Sequence, residues 1–175
     1  MDNKTSNPFN QEVEKMVEKK MEAGGKRIAL IACSKSKQGK DDRERKFKAC
    51  EIYTGNSFKK GKKAIEDGRF GCEEYYIISA KHHLLDKSDM ISWYDKTLYK
   101  MKCNERKAWA EEVLSGLRNK GYNLDKDVFY IFGGGKYYEY LKLGLNCVVF
   151  NYKNSNAIDL DNYEAYFENG GKPIQ

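Results

Sequence analysis

The feature that most restricts the fold of this chain is a set of four short, almost continuous apolar runs. A strand with one solvent face alternates apolar and polar residues, so continuous runs predict strands that are covered on both faces. The four predicted strands are Arg27–Ala32, Glu74–Ser79, Val128–Phe132 and Cys147–Phe150.

Helices are predicted between these strands, from about 54 to 67, from about 103 to 118 and over roughly 136–143. Strands that alternate with helices form mainly parallel sheets covered by helices. With 175 residues, 40% of them hydrophobic, the chain can build one such core. We therefore predict an α/β three-layer sandwich with a mainly parallel central sheet of about four strands, as a single domain over residues 26–175.

A further helix is predicted before this domain. Residues 7–23 begin with a capping Asn7 and with Pro8, carry apolar residues at helical spacing and end at Gly24-Gly25. This pattern predicts an N-terminal docking helix within residues 1–25.

The composition argues against several classes of protein and site. No run approaches the roughly 18 apolar residues of a membrane helix and the N-terminus is polar, so we expect a cytoplasmic protein with no membrane contact. Five widely spread cysteines without a C-x-x-C pair, and two histidines, argue against a disulfide framework or a zinc site. We expect no metal and no cofactor.

A net charge of +6 favours an anionic partner. Two basic clusters would flank one edge of the sheet and neutralise phosphate, which predicts DNA as the partner, although a solvated lysine-rich face is the alternative. The predicted DNA-backbone contacts are Lys40, Arg43, Arg45, Lys59, Lys60, Lys62 and Lys63.

The loops that leave the strands carry most of the chemistry, because ligands of such sheets bind at the carboxyl ends of the strands. The first loop opens with Cys33, Ser34, Lys35 and Lys37, which could surround an anion or a polar ring. Cys33 could also be a nucleophile if a neighbouring cation or base activates it.

The second loop combines Ser79, Lys81, His82, Tyr94 and Asp95. The lysine could bind phosphate or attack as an amine, a histidine could move a proton, and the carboxylate could activate water or stabilise a developing cation. The alternative is that His82 only caps the strand.

Two further loops supply candidate binding residues. Gly133 and Gly134 precede a predicted helix and allow a ligand to approach the backbone closely. The amide of Asn151 could read the edge of a base. Tyr137 and its neighbouring tyrosines could be stacking surfaces or core.

Several motifs occur in the order known from one protein family. They are I-A-L-I-A-C-S-K-S-K (28–37), I-Y-T-G-N-S-F (52–58), I-I-S-A-K-H-H-L-L-D (77–86), W-Y-D-K-T-L (93–98) and E-R-K-A-W-A (105–110). On these motifs the chain resembles a bacterial and phage family of small domains over about residues 26–150. Where this chain has His83, that family usually has glycine.

This resemblance implies a uracil-DNA-glycosylase-like α/β fold, as in a domain of archaeosine synthase, and a nucleobase or nucleic-acid context. It also implies Tyr53 as a substrate-binding residue. Similar domains in phage-defence glycosylases imply a modified base, such as glucosylated hydroxymethylcytosine, as the substrate.

The leading hypothesis is a DNA glycosylase that flips out and excises a modified base. Asp95 would stabilise the oxocarbenium-like sugar or orient water, and His82 with Lys81 would stabilise the departing base. Attack by Lys81 on C1′ would instead give a Schiff base and lyase activity. The alternatives are a non-catalytic nucleic-acid-binding module and a nucleoside or nucleotide N-glycosidase or ribosyl transferase.

Overall fold

The computed structural model describes residues 24–68 and 70–151, the isolated positions 15, 18 and 19, and the backbone of 164–169 and 172–173. For residues 150 and 151, too, only the backbone is described. The docking helix predicted within residues 1–25 therefore lies outside the described residues, except for those three positions, which are helical. Among the described helices, none is both long and apolar enough to cross a bilayer.

A mainly parallel sheet forms the centre of the fold. The described strands are β1 (Arg27–Ala32), β2 (Lys46–Lys48), β3 (Glu74–Ser79), β4 (His83–Asp86), β5 (Met90–Ser92), β6 (Val128–Phe132), β7 (Cys147–Asn151), β8 (Glu164–Asn169) and β9 (Lys172–Pro173). Within the described chain, seven of them pair in the order β4-β3-β1-β6-β7-β8-β9, and β2 pairs with β5 in a separate ribbon. The inner strands β3, β1, β6 and β7 are parallel, which confirms these four predicted strands. The sheet is larger than the predicted four, because β4, β8 and β9 extend its two edges by antiparallel pairing.

Helices cover the sheet on both faces. The described helices are α1 (Ala49–Ile52), α2 (Asn56–Glu66), α3 (Cys103–Asn119) and α4 (Gly135–Tyr138), with 3₁₀ turns at Leu98–Lys100 and Leu141–Leu143. Successive side chains of a strand point to opposite faces. Ile31 of β1 accordingly joins a core with Phe58 of α2, and Leu30 joins a second core with Trp109 of α3. The predicted three-layer α/β arrangement is confirmed.

The predicted helix over 136–143 is wrong in its extent. The chain forms only α4 and then a separate 3₁₀ turn, because Glu139 pairs with Arg106 and the Tyr140 hydroxyl lies 2.7 Å from the Cys103 thiol. These contacts hold Glu139 and Tyr140, which lie between the two turns, against α3.

The polar composition of residues 33–48 and 79–100 predicts two long loops, and this prediction is wrong because short strands lie within both segments. β2 from the first pairs with β5 from the second, and β4 folds back antiparallel on β3. His83 starts β4 with a φ of 60°, a left-handed conformation that glycine adopts without strain. A glycine, which the resemblance implies at this position, would adopt this conformation without strain.

Candidate functional site

Two adjoining cavities open where β1 and β6 end. Their volumes are about 260 Å³ and about 380 Å³. Both are lined by Cys33, Ser34, Lys35, Tyr99 and Tyr137. The smaller cavity adds the residues that begin α2 and the glycines after β6, whereas the larger one adds Lys37 and residues from Asp95 to Lys100. Together they form one cleft at the carboxyl edge of the parallel strands, where the sequence predicts a site.

The larger cavity is strongly cationic. Its charged lining residues are Lys35, Lys37, Asp95, Lys96 and Lys100. Four ammonium groups face one carboxylate, so the cavity attracts anions, while Asp95 supplies the group that could act on a cationic or acidic centre. The side chain of Asp95 is exposed and interacts electrostatically with Lys37.

Lys37 is set deeper than the other three lysines of this cavity. Its side chain is half-buried, whereas Lys35, Lys96 and Lys100 are exposed. Its Nζ lies 4.4 Å from the centre of the Tyr94 ring and donates to the carbonyl oxygen of Lys35 at 3.1 Å. Burial lowers the pKa of Lys37 from its ordinary value, against the opposing effect of Cys33 and Asp95.

A chain of buried hydroxyl groups supports the floor of the cleft. The Tyr94 hydroxyl lies 2.7 Å from both the Tyr53 hydroxyl and the Ser79 Oγ. The indole Nε1 of Trp109 donates to the carbonyl oxygen of Ser79 at 2.8 Å. Burial raises the pKa of both Tyr53 and Tyr94, so both stay neutral phenols. The three predicted binding residues Tyr53, Ser79 and Tyr94 are thus buried beneath the floor of the cleft and do not line it.

Lys81 and His82 lie on the turn after β3 and line neither cavity. Their backbone N–H groups donate to Ser79 Oγ at 3.3 Å and 3.1 Å. Lys81 is exposed, with its Nζ 5.8 Å from the Tyr94 ring centre. The His82 ring meets the same tyrosine ring edge-on, and its Nε2 is buried with no hydrogen-bond partner among the described residues. Burial lowers the pKa of His82, so its neutral form is favoured.

Gly133 and Gly134 line the smaller cavity where backbone and side chains approach closely. A Cβ on Gly133 would lie 2.6 Å from the Cβ of Ala32, and one on Gly134 would lie 2.2 Å from the Tyr99 hydroxyl. Gly133 therefore needs glycine for space, whereas at Gly134 the exposed ring of Tyr99 can move aside and the φ of −74° is one that any residue adopts. Both glycines line the cleft, and their predicted contact with a ligand stays a prediction.

Two further tyrosines line the cleft: Tyr137, which the sequence leaves open as a stacking surface or a core residue, and Tyr99, which the sequence does not indicate. Tyr99 is 62% exposed and lines both cavities, and its ring centre lies 6.4 Å from that of Tyr137. The Tyr137 hydroxyl lies 3.2 Å from the Cys33 Sγ. The motif W-Y-D-K-T-L stops one residue before Tyr99, and an exposed ring in a turn has no periodicity that would reveal it.

The predicted DNA-backbone residues fall into two groups. Lys40, Arg43 and Arg45 are exposed, and the Arg43 guanidinium lies 4.6 Å from the ring centre of Trp93, two residues before Asp95. The lysines of α2 extend away from the cleft, because α2 begins beside the smaller cavity and Lys63 sits about 10 Å further along its axis. Within α2, Lys59 is exposed and Lys60 half-buried, Lys62 donates to the carbonyl oxygen of Cys50, and Lys63 pairs with Asp67.

One predicted binding residue lies beyond the cleft residues described so far. Asn151 ends β7, and its side chain lies outside the described part of the structure. Among the described residues, no three histidine, cysteine or acidic side chains come together in a group that could hold a metal ion. The chemistry available in the cleft is therefore that of a carboxylate, amines, a thiol and phenols.

A family model described as "Family of unknown function (DUF6884)" matches residues 28–155. A search of curated proteins found no match. A search of solved structures found none either. The matched residues include every strand end that forms the cleft and make up well over half of the chain, so the protein belongs to this family of unknown function.

Proposed function

We propose that the protein is a DNA glycosylase that takes a modified base into the cleft and hydrolyses its N-glycosidic bond. One observation carries the proposal: the Asp95 carboxylate and the half-buried Lys37 open onto the same cavity, which is also lined by the rings of Tyr99 and Tyr137. This set supplies a carboxylate for the sugar, a cation for the departing base and aromatic surfaces for the flipped nucleotide.

The size of the cleft fits a base with a bulky substituent. The larger cavity, at about 380 Å³, falls within the usual range of ligand sites, about 300–1,000 Å³, and the smaller one adjoins it. A flipped base in the larger cavity, against the exposed ring of Tyr99, would leave the smaller cavity for a sugar attached to that base. A glucosylated hydroxymethylcytosine of phage DNA is therefore the substrate class that we propose.

The chemistry follows from where charge develops as the bond breaks. The sugar gains oxocarbenium character, which an adjacent carboxylate stabilises while it orients water, and the base gains negative charge, which a lysine stabilises or neutralises by donating a proton. Asp95 and Lys37 can fill these roles. The roles of Lys81 and His82 stay predictions, since neither side chain lines the cavities.

The rim of the cleft suits a phosphate backbone. Lys35, Lys96 and Lys100 are exposed around the larger cavity, and Arg43 is stacked on Trp93 nearby in sequence. Cations at such positions would hold the strands on either side of a flipped nucleotide. We further infer a uracil-DNA-glycosylase-like fold, supported by the parallel sheet between two helical layers, and a cytoplasmic role in defence against phages with modified DNA.

The test is incubation of the purified protein with unmodified and glucosylated phage DNA, with mass spectrometry of released bases and a count of abasic sites. We expect base release from the glucosylated DNA. For Asp95→Asn we expect the rate of release to fall by a factor of about 100 or more. Asp125→Asn is the matched control, because Asp125 is exposed in the turn before β6, at the opposite edge of the sheet.

The outcomes separate the candidate functions. Release at the wild-type rate by Asp95→Asn would contradict the role of this carboxylate. Tight binding of DNA without release of any base would favour a non-catalytic binding module. Release from free nucleosides or nucleotides but not from DNA would favour a small-molecule N-glycosidase.

A further inference from the structure

The backbone around Lys37 is fixed on both sides. Lys37 and Tyr53 form an isolated antiparallel bridge. On either side of it, the N–H of Gln38 donates to the carbonyl oxygen of Ile52 at 2.8 Å, and the N–H of Thr54 donates to that of Ser36 at 3.0 Å. The side chain therefore extends into the cleft from a rigid base, although the surrounding segment forms no regular strand.

The ammonium group is fixed as well. The Tyr94 ring lies 4.4 Å from Nζ and the Tyr53 ring 5.8 Å from it, and the two phenols are locked to each other by a 2.7 Å hydrogen bond. A reactive group that is held in one place loses little entropy when it meets its substrate. None of the exposed lysines of the cavity has a comparable pair of rings beneath it in the described structure.

We propose that Lys37 forms a Schiff base with C1′ of the abasic deoxyribose, which gives the protein an abasic-site lyase activity. This inference rests on the proposed function in that the cleft must accept a flipped nucleotide. It adds a reaction that follows base removal and that acts equally on an abasic site of other origin.

The reaction balances with the groups present. The neutral Nζ adds to the C1′ aldehyde of the ring-opened sugar, and the resulting carbinolamine takes up one proton from solvent and loses one water to give the iminium ion. Asp95 or water then removes a proton from C2′, and the C3′–O bond breaks so that the 3′ phosphate leaves. Hydrolysis of the remaining imine returns the free amine and releases the unsaturated sugar fragment. No oxidant or reductant takes part.

The environment of Lys37 favours the neutral amine that this reaction needs. Burial lowers its pKa, and the groups that act against this are Cys33 and Asp95. A lower pKa leaves a larger neutral fraction near neutral pH than an exposed lysine has. If Lys37 first protonates the departing base, that step also leaves it neutral and ready to attack.

The position of Lys37 also distinguishes it from Lys81, the lysine that the sequence favours as the amine nucleophile. Lys81 is exposed and lines neither cavity. An aldehyde carbon inside the larger cavity would thus meet Lys37 rather than Lys81. The proposal predicts one modified lysine, and it predicts which one.

The experiment uses the full chain and a duplex with a single pre-formed abasic site, so that no base has to be excised. Sodium borohydride reduces the iminium ion to a stable amine, and mass spectrometry of the digested adduct identifies the lysine. We expect the adduct on Lys37. We also expect the adduct yield to fall on the order of 100-fold in Lys37→Arg, which keeps the charge but cannot form the iminium ion.

Two controls accompany this variant. Lys126→Arg changes an exposed lysine before β6, at the edge opposite the cleft, and should trap as well as the wild type. Lys81→Arg tests the competing lysine, and loss of the adduct in this variant would assign the iminium ion to Lys81. Thermal melting shows whether Lys37→Arg is folded, and mapping the wild-type adduct does not depend on any variant.

The inference is overturned if the wild type gives no adduct, if the adduct maps to another lysine, or if folded Lys37→Arg traps as well as the wild type. Failure of the glycosylase proposal is measured separately, as absence of base release from modified DNA. An adduct on Lys37 without base release would leave a lyase that acts on abasic sites made elsewhere.

Discussion

Substitution of alanine for Gly133 tests how tightly β1 and β6 close at the cleft. The added Cβ would lie 2.6 Å from the Cβ of Ala32, whereas carbon atoms in contact are normally about 3.5–4.0 Å apart. Roughly 1 Å of extra space is therefore needed between two strand ends that the pairing of Ile31 with Phe132 holds together. Neither atom belongs to a flexible side chain, so the backbone must move.

Overpacking of this kind costs about 1–3 kcal/mol, and we expect Gly133→Ala to lower the free energy of unfolding by about 2 kcal/mol. For a chain of this length that corresponds to a Tm about 4–8 °C lower. Urea unfolding followed by tryptophan fluorescence measures the free energy directly, because Trp109 is buried in one of the two cores.

The two following glycines are built-in controls. A Cβ on Gly135 would meet only the Tyr138 hydroxyl, at an ordinary 3.8 Å, so Gly135→Ala should be neutral or stabilising by up to about 1 kcal/mol. Gly134→Ala displaces the exposed ring of Tyr99 at little cost in stability. The reasoning is refuted if Gly133→Ala unfolds within about 0.5 kcal/mol of the wild type, or if Gly135→Ala is equally destabilised.

Three further predictions concern buried polar groups. Tyr94→Phe removes the hydroxyl that links Ser79 to Tyr53, and it should cost about 1–3 kcal/mol in urea unfolding; a cost near zero would contradict the hydroxyl chain. Burial raises the pKa of the Cys72 thiol to about 12, so iodoacetamide at about pH 8 should label the exposed Cys103 first and Cys72 only after unfolding. Burial lowers the pKa of His82, so its contribution to stability is lost as the pH falls below its ordinary value of about 6.5. The unfolding free energy of His82→Gln should therefore decrease less than that of the wild type between about pH 7.5 and pH 5, and equal losses would argue against a buried neutral imidazole.

The strands that are buried on both faces could be predicted to the residue. β1, β3 and β6 begin and end where their apolar runs do, because a strand between two helical layers has no solvent face to interrupt the run. The three-residue strands β2 and β5 show no such run. They exist because two segments that are distant in sequence pair with each other, which no local pattern records.

Some residues of the cleft could likewise be predicted from the sequence, and others could not. Residues directly after a strand, such as Cys33 and Gly133, could be placed at the cleft from the strand assignment alone. Asp95 also lines the cleft, although it follows no strand of the central sheet directly. That Tyr94 is buried beneath the cleft, while Tyr99 is exposed within it, depends on long-range packing, and the two tyrosines look alike in the sequence.

Ser79 connects the two helical layers at the functional edge of the sheet. Its hydroxyl binds Tyr94, which packs in one core with Tyr53, and its carbonyl accepts from Trp109, which packs in the other. Over evolution, loss of Tyr53 or Tyr94 would leave a buried hydroxyl group without its hydrogen-bond partner unless that group changed as well. We therefore expect Ser79, Tyr94 and Tyr53 to vary together across the family, as one inherited unit.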